Sequence, residues 1–312
     1  MKISLTYAFA STTRGNNITA ERWKGFFREL GHEVVEDDSD VLIALHARHS
    51  HDAIVEFKKN YPDKAVILAL TGTDLYHDIY VLENAQQSLQ LADWLVVLQD
   101  QGLEEVGSEL AKKTRVIFQS CPPPKSKPLP RDGCFEVALI GHLRKVKDPF
   151  LTADALKFLP AYSNIHVTHV GEALDEEMAW RAEDETIKNP RYSWLGGVTL
   201  EESIEVINRA NLLVLTSHME GGANAATEAL ACGTPFISTE IKGLQGLMGK
   251  EFPGFFPLRD ANALAELLEK CANNTEFYDE LKNFCAKRAY IADPELEKQS
   301  WKKLLAEVAS RV

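Results

Sequence analysis

Short runs of apolar and β-branched residues alternate with longer stretches whose apolar positions recur at helical spacing through most of the chain. The runs predict strands at 2–9, 33–35, 40–45, 65–70, 94–98 and 115–119. The first amphipathic stretch, 17–30, sets Trp23, Phe26, Phe27 and Leu30 on one side before Gly31 ends it. A second series predicts strands at 135–141, 164–170, 192–195, 212–217 and 235–239. Beyond about 260 the pattern is helical only, and its last stretch, 293–310, places Trp301, Leu304, Leu305 and Val308 on one face. Alternation of this kind means βαβ units and an α/β fold of mainly parallel sheets. Between the two series lies Cys121-Pro-Pro-Pro-Lys-Ser-Lys-Pro-Leu-Pro130, which can form neither a helix nor a central strand. It divides the chain into domains at 1–120 and 131–290, joined by a linker at 121–130 and followed by a final helix at 291–312. Two such sheets leave a cleft between them, and ligands of open parallel sheets bind beyond the carboxyl ends of the strands.

Composition narrows the classes. Of 312 residues, 34 are Lys or Arg and 46 are Asp or Glu, a net charge of −12. That balance argues against a nucleic-acid binder, so an anionic ligand must be held by a few placed cations and backbone N–H groups. Five cysteines, with no CxxC pair, are poor material for a disulfide framework and suggest a reducing compartment. The beginning of the chain, Met1-Lys2-Ile3-Ser4-Leu5, reads as a strand and not as a leader, and no apolar run is long enough for a membrane span. The expectation is a cytoplasmic protein without stable membrane association.

The most informative motif follows the strand 212–217. It runs His218-Met-Glu220-Gly221-Gly222-Ala223-Asn224 and then enters a helix containing Glu228, which Gly233 stops. Adjacent glycines let the backbone approach a ligand closely. The helix start at Ala223 and Asn224 offers free N–H groups to an anion such as a diphosphate. Glu228 shares a face with Asn224, and a carboxylate can accept from both hydroxyls of a vicinal diol. Singly, each glutamate would read as a solvated helix charge; paired across Gly-Gly between two strands, they read as a site. At the second domain's first strand end, Gly141-His142-Leu143-Arg144-Lys145-Val146-Lys147-Asp148-Pro149 gathers cations that could neutralise a leaving diphosphate, the alternative being a basic surface loop.

In the first half the strand-end turns are less ordinary. Arg14-Gly15-Asn16 would make a tight glycine turn ahead of a helix start, or simply a routine loop. Strand 40–45 runs into His46-Ala-Arg48-His49-Ser50-His51, where Arg48 suits an anion. The three histidines have no carboxylate or cysteine at ligand spacing, so no metal site is expected. Strand 65–70 runs into Thr71-Gly72-Thr73-Asp74, a cluster of hydroxyls, a glycine and a carboxylate that reads as a ligand-contacting turn, with Asp74 as a helix cap the alternative.

The Glu220/Glu228 spacing resembles the E-x7-E motif of retaining family-4 glycosyltransferases of the GT-B fold, in which two Rossmann-like domains face a cleft and a C-terminal helix crosses back. That resemblance implies Glu220 on the donor sugar, Glu228 on the nucleotide ribose, and the turn Gly221-Gly222 facing the sugar diphosphate, beside the helix start at Ala223 and Asn224. It puts Lys147 at the family's diphosphate lysine; His142 stands where the family has arginine, with Arg144 as the substitute. Gly196 and Gly197, after Tyr192-Ser-Trp-Leu195, resemble the family's base-binding turn. Longer phrases, including Leu70-Thr-Gly-Thr-Asp-Leu-Tyr76 and Met219-Glu-Gly-Gly-Ala-Asn224, resemble the selenosugar synthases of selenoneine biosynthesis. This implies a UDP-sugar donor (UDP-N-acetylglucosamine or UDP-glucose), selenophosphate as acceptor, and no cofactor or metal. Arg14, Gly15, Asn16, Arg48, Thr71, Gly72, Thr73 and Asp74 would then hold the acceptor. A glycosyltransferase with a hydroxyl acceptor, and a non-catalytic sugar-nucleotide binder, are the competing readings.

Overall fold

A strand buried on both faces must be apolar at every position, and Val41–Leu45 and Ala65–Leu70 are buried throughout. Their side chains alternate between two cores. Ile43, Leu45 and Ile67 join Trp23 and Phe27 on one face, while Leu42, Ala44 and Leu68 join Ile54 and Phe57 on the other. Helices therefore cover both sides of this sheet. The computed structural model describes residues 1–7, 14–128 and 133–310, the side chain of Arg14 excepted. The expected strand end at 8–9, that side chain, and Leu129 and Pro130 of the connector lie outside the described residues.

The first sheet comprises β1 (Lys2–Thr6), β2 (Glu33–Val34), β3 (Val41–Leu45), β4 (Ala65–Leu70), β5 (Trp94–Val97) and β6 (Thr114–Val116), in the order β2-β1-β3-β4-β5-β6. The second comprises β7 (Phe135–Ile140), β8 (Ile165–Val170), β9 (Tyr192–Trp194), β10 (Leu212–Leu215), β11 (Phe236–Thr239) and β12 (Phe255–Phe256), in the order β12-β11-β10-β7-β8-β9. Every pairing in both sheets is parallel. The second order is that of a doubly wound dinucleotide-type sheet, reversing direction between β7 and β10; the first reverses between β1 and β3. Those reversal points, at the carboxyl ends of the strands, are where such sheets open a crevice.

The chain divides into two units: Met1–Gln119 with Glu220–Gly222 and the C-terminal stretch from Pro294, and Ser120–Met219 with Ala223–Asp293. The final helix, Pro294–Ala309, thus completes the first unit's core through Trp301, Leu304, Leu305 and Val308. Two local expectations need correction. The first helix spans Arg14–Glu29, so Gly15 and Asn16 form its opening turn and not a separate glycine loop. The sequence pattern also missed β12, a two-residue strand paired to Ser238 and Thr239, too short to carry any periodicity.

Candidate functional site

In the second unit, the turn after β7 and the turn after β10 meet at the reversal point. The Thr216 hydroxyl donates to the Lys147 carbonyl at 2.7 Å, and the His218 N–H donates to the Val146 carbonyl at 2.7 Å. His218 Nε2 lies 3.0 Å from the Asp148 carboxylate, and Thr239 clamps the Ser217 carbonyl at 2.6 Å. The Lys147 carbonyl is thereby tied to the turn after β10 through Thr216, and the Val146 carbonyl through His218. Arg144 and Lys147 are half-buried whereas Lys145 is exposed, which separates two placed cations from a solvated one. Asp148 and Ala223 both adopt left-handed backbone conformations, with φ of 45° and 46°. Non-glycine residues are held there only when the surroundings over-determine them, and such strain gathers at ligand-binding turns.

Glu220 and Glu228 are both buried, at 8% and 7% exposure. Neither is the solvated helix charge that each would be in isolation. Glu228 sits in the helix Asn224–Cys232, one turn beyond Asn224. The same sheet edge carries a residue the sequence motifs did not single out. Glu172 follows Gly171 at the end of β8; its N–H donates to His142 Nδ1 at 3.0 Å, and its side chain fills the place a Cβ on Gly197 would occupy. A carboxylate just beyond a strand end was the available signal. Gly196 is left-handed (φ 74°) and its carbonyl accepts from the Gly171 N–H at 2.8 Å, so the ends of β7, β8 and β9 form one continuous ledge. His142 accordingly lies beside Glu172, and Gly141 beside His169, whose Nε2 is 3.0 Å from the Gly141 carbonyl.

In the first unit, the Glu220–Gly222 turn packs on the turn after β4. A Cβ on Gly221 would overlap the Thr71 carbonyl, and one on Gly222 would overlap Gln119 and Leu98. Glycine is required here by close approach. Asp74 is fully buried, and its carboxylate accepts from the N–H groups of Ala47 (3.0 Å), Thr71 (3.1 Å) and Gly72 (2.8 Å). It organises the loops after β3 and β4, which the helix-cap alternative did not foresee, and the Gly72 amide expected to face a ligand is engaged by it. Open space remains at Gly72, where an added Cβ would meet nothing within 4 Å. Thr71 and Thr73 are half-buried, Arg48 and Gly15 exposed, and Asn16 half-buried. Tyr76, which ends the phrase after β4 without a role in the sequence motifs, is also engaged. Its hydroxyl accepts from Gln99 Nε2 at 2.7 Å, and burial, followed by the negative charges of Glu105 and Glu220, holds the phenol above its ordinary pKa.

The histidine cluster differs from its sequence picture, because the carboxylates absent from its own loop arrive from the next one. His46 Nδ1 lies 4.0 Å from Asp74, and Nε2 lies 3.9 Å from Asp78. His49 packs tilted against His46 with centroids 4.2 Å apart, and its pKa is lowered by burial first and then by its neighbours His46 and Arg48. His51 turns away to Ser88, at 3.0 Å. Among the described residues no group of three or more His, Cys, Asp or Glu side chains is arranged to hold a metal ion, and no helix is long and apolar enough to cross a membrane.

Comparison with known proteins fits this arrangement. The family model for Glycosyl transferases group 1 matches residues 125–289. D-inositol 3-phosphate glycosyltransferase of Mycobacteroides abscessus is 32% identical over 111 residues, 35% of this chain and 25% of that protein, so the match spans a quarter of the relative's length. An uncharacterized glycosyltransferase of Methanocaldococcus jannaschii is 21% identical over 259 residues, covering 80% of this chain and 70% of that one. Among solved structures, Anabaena HepE in complex with UDP and glucose superposes with a TM-score of 0.73 at 15% identity, covering 98% and 99% of the two chains. The glycosyltransferase of Rickettsia africae gives 0.74 at 12% identity, covering 99% and 98%. Likeness at such identity shows the fold, two six-stranded parallel sheets of the GT-B class. Because the family model matches just over half of its residues, the chain belongs to the group 1 glycosyl transferases.

Proposed function

We propose that this chain transfers a sugar from a UDP-sugar, N-acetylglucosamine or glucose, to selenophosphate, giving a 1-selenosugar. The observation that carries the donor half is the pair of buried glutamates flanking Gly221-Gly222 in the sequence after β10, together with the half-buried Lys147 of the turn after β7. Buried carboxylates persist where hydroxyl or N–H donors meet them. Glu228 would accept from the ribose diol, Glu220 from the sugar, and Arg144, Lys147 and the helix start at Asn224 would stabilise the charge gathering on UDP. Glu172, His142, Gly196 and Gly197 line the ledge for the base. HepE was solved with UDP and glucose, which supports the same donor class here.

In the reaction, the selenium lone pair attacks the anomeric carbon while the bond to the UDP oxygen breaks and its electron pair leaves with UDP. Water then takes the phosphoryl group as phosphate and the selenol proton is supplied by solvent. Selenophosphate is already anionic, so a strong general base is not required. The acceptor selenium rests on the longer phrases shared with selenosugar synthases; the supporting structural fact is the compact hydroxyl-bearing turn Thr71–Thr73 beside the Glu220 turn. The domain at 131–290 would bind the donor and that at 1–120 the acceptor, in the cytoplasm and without a metal.

Incubation with a panel of UDP-sugars and with selenophosphate, thiophosphate, phosphate or sugar acceptors, read by mass spectrometry, tests this. A selenosugar dependent on both substrates is expected, unaffected by chelator. Product formed only on a hydroxyl acceptor would replace the selenium reading, and UDP binding without turnover would leave a sugar-nucleotide binder. Glu220→Ala and Lys147→Ala should each lower kcat by roughly 10²-fold, the loss expected for one group stabilising developing charge. Near wild-type turnover in either removes the donor-site assignment.

A further inference from the structure

The first sheet reverses between β1 and β3, and the residue that follows β3 there is His46. It is a bulky non-glycine residue held at φ 78°, with its side chain 7% exposed. Such a conformation is maintained only where neighbours fix it, and here they do. The following amide, Ala47 N–H, is anchored on Asp74, and His49 packs tilted against the ring. Two polar atoms near it are left over. Among the described residues His46 Nδ1 and Thr71 Oγ1 are buried with no hydrogen-bond partner, the situation that asks for a missing ligand or proton relay.

Both ring nitrogens face groups that can only accept when ionised: Nδ1 faces Asp74 and Nε2 faces Asp78. Nε2 also lies 3.3 Å from Thr73 Oγ1. In the tautomer that carries its proton on Nε2, Nε2–H donates to the Thr73 hydroxyl oxygen. The Thr73 hydroxyl hydrogen is then left to serve another acceptor. The charge of Asp74 is taken up by three backbone N–H groups, which lessens its repulsion of an incoming anion.

We propose that His46 is a positioning residue for an oxyanion site made by the Thr73 and Thr71 hydroxyls, through which the phosphoryl oxygens of the acceptor are held. This deepens the reading above and rests on it for the identity of the acceptor, though the site's preference for a tetrahedral oxyanion can be tested alone. The role differs from a structural one in a definite way. His46 acts through the direction of one hydroxyl, so its effect must vanish when that hydroxyl is absent.

The probe is inorganic phosphate, titrated calorimetrically into the full chain with UDP held saturating so that the diphosphate subsite is occupied. Wild type should bind phosphate. His46→Leu should weaken it at least about tenfold, the loss of one oriented hydrogen bond to an anion. His46→Gln, whose amide N–H can replace Nε2–H, should restore affinity to within about threefold. Thr73→Val should match His46→Leu, and the double variant should be no weaker than either single one. Absence of phosphate binding in wild type, equal loss in the Leu and Gln variants, or additive losses in the double variant would each overturn the proposal. So would a loss of UDP affinity in His46→Leu, because the imidazole would then serve the fold. If the product assay finds another acceptor while phosphate affinity follows this pattern, the selenophosphate reading fails and the His46 assignment stands. If selenosugar forms without the pattern, the reverse holds.

Discussion

At His169, burial and hydrogen bonding act on one imidazole in opposite directions. The ring is 1% exposed, and burial lowers its pKa to about 4 against the smaller upward pull of the Gly141 carbonyl. That carbonyl can only accept, so Nε2 carries the proton, and Nδ1 accepts from the Tyr192 hydroxyl at 2.6 Å. Since the folded value lies below the unfolded one near 6.5, the unfolded chain binds the extra proton between those limits. Stability is therefore full above about pH 6.5 and falls toward pH 4, by up to roughly 3 kcal/mol from this group. His169→Gln keeps a donor for Gly141 but cannot titrate. Its unfolding free energy, from urea melts across this range, should decline less steeply than that of wild type. Parallel pH curves would mean that the imidazole is not held neutral.

The turns after the strands show a similar economy at the scale of elements. Gly221 and Gly72 lie on adjoining turns of the first unit, yet only one of them is forced. A Cβ on Gly221 would strike the Thr71 carbonyl, which is backbone and cannot swing aside, whereas Gly72 has free space. Gly221→Ala should therefore lower stability by about 1–3 kcal/mol, as overpacking does, and displace Glu220. Gly72→Ala should leave the denaturant midpoint nearly unchanged while raising the acceptor KM. Similar midpoint shifts in the two variants would contradict this contact. The contrast also marks where sequence stops being informative. Fully apolar runs such as Val41–Leu45 announce buried parallel strands, and the Glu220-Gly-Gly…Glu228 spacing announces a helix-start site. Neither says which glycine is pressed against another chain segment, because that depends on residues about 150 positions away. Asp74 is a sharper case: adjacent to threonines it looks like a ligand contact, and only folding brings Ala47 to its carboxylate. His46 meets Asp78 for the same reason, so a loop without nearby acids in sequence has two beside it in space.

Across the whole molecule, the longest-range dependence is that of the first unit on the end of the chain. Trp301 wedges between Trp23 and Phe27, with centroids 4.6 and 5.2 Å away in edge-on geometry, and Leu304, Leu305 and Val308 close the same core. One turn earlier, buried Glu297 accepts from Trp23 Nε1 at 2.6 Å and from Arg22 Nε at 2.9 Å. Further along the helix Pro294–Ala309, Arg115 meets Glu307 at 2.6 Å. The helical face visible in the sequence thus finds its partner some 275 residues upstream, and the first sheet's core is incomplete until the last helix has been made. Trp301→Ala should remove about 3–5 kcal/mol, the usual loss for emptying a large aromatic site. Trp301→Phe should lose less than about 1.5 kcal/mol, because it retains most of the volume and deletes an indole N–H that has no partner among the described residues. Hydrogen exchange resolved by peptide is the measurement that matters, since a global melt would blend the two units. In the Ala variant, protection should fall across β1, β3 and the helix Arg14–Glu29 while the strands of the second unit keep theirs. Equal loss of protection in β7 and β10 would mean that the final helix stabilises the chain by some route other than the first unit's core.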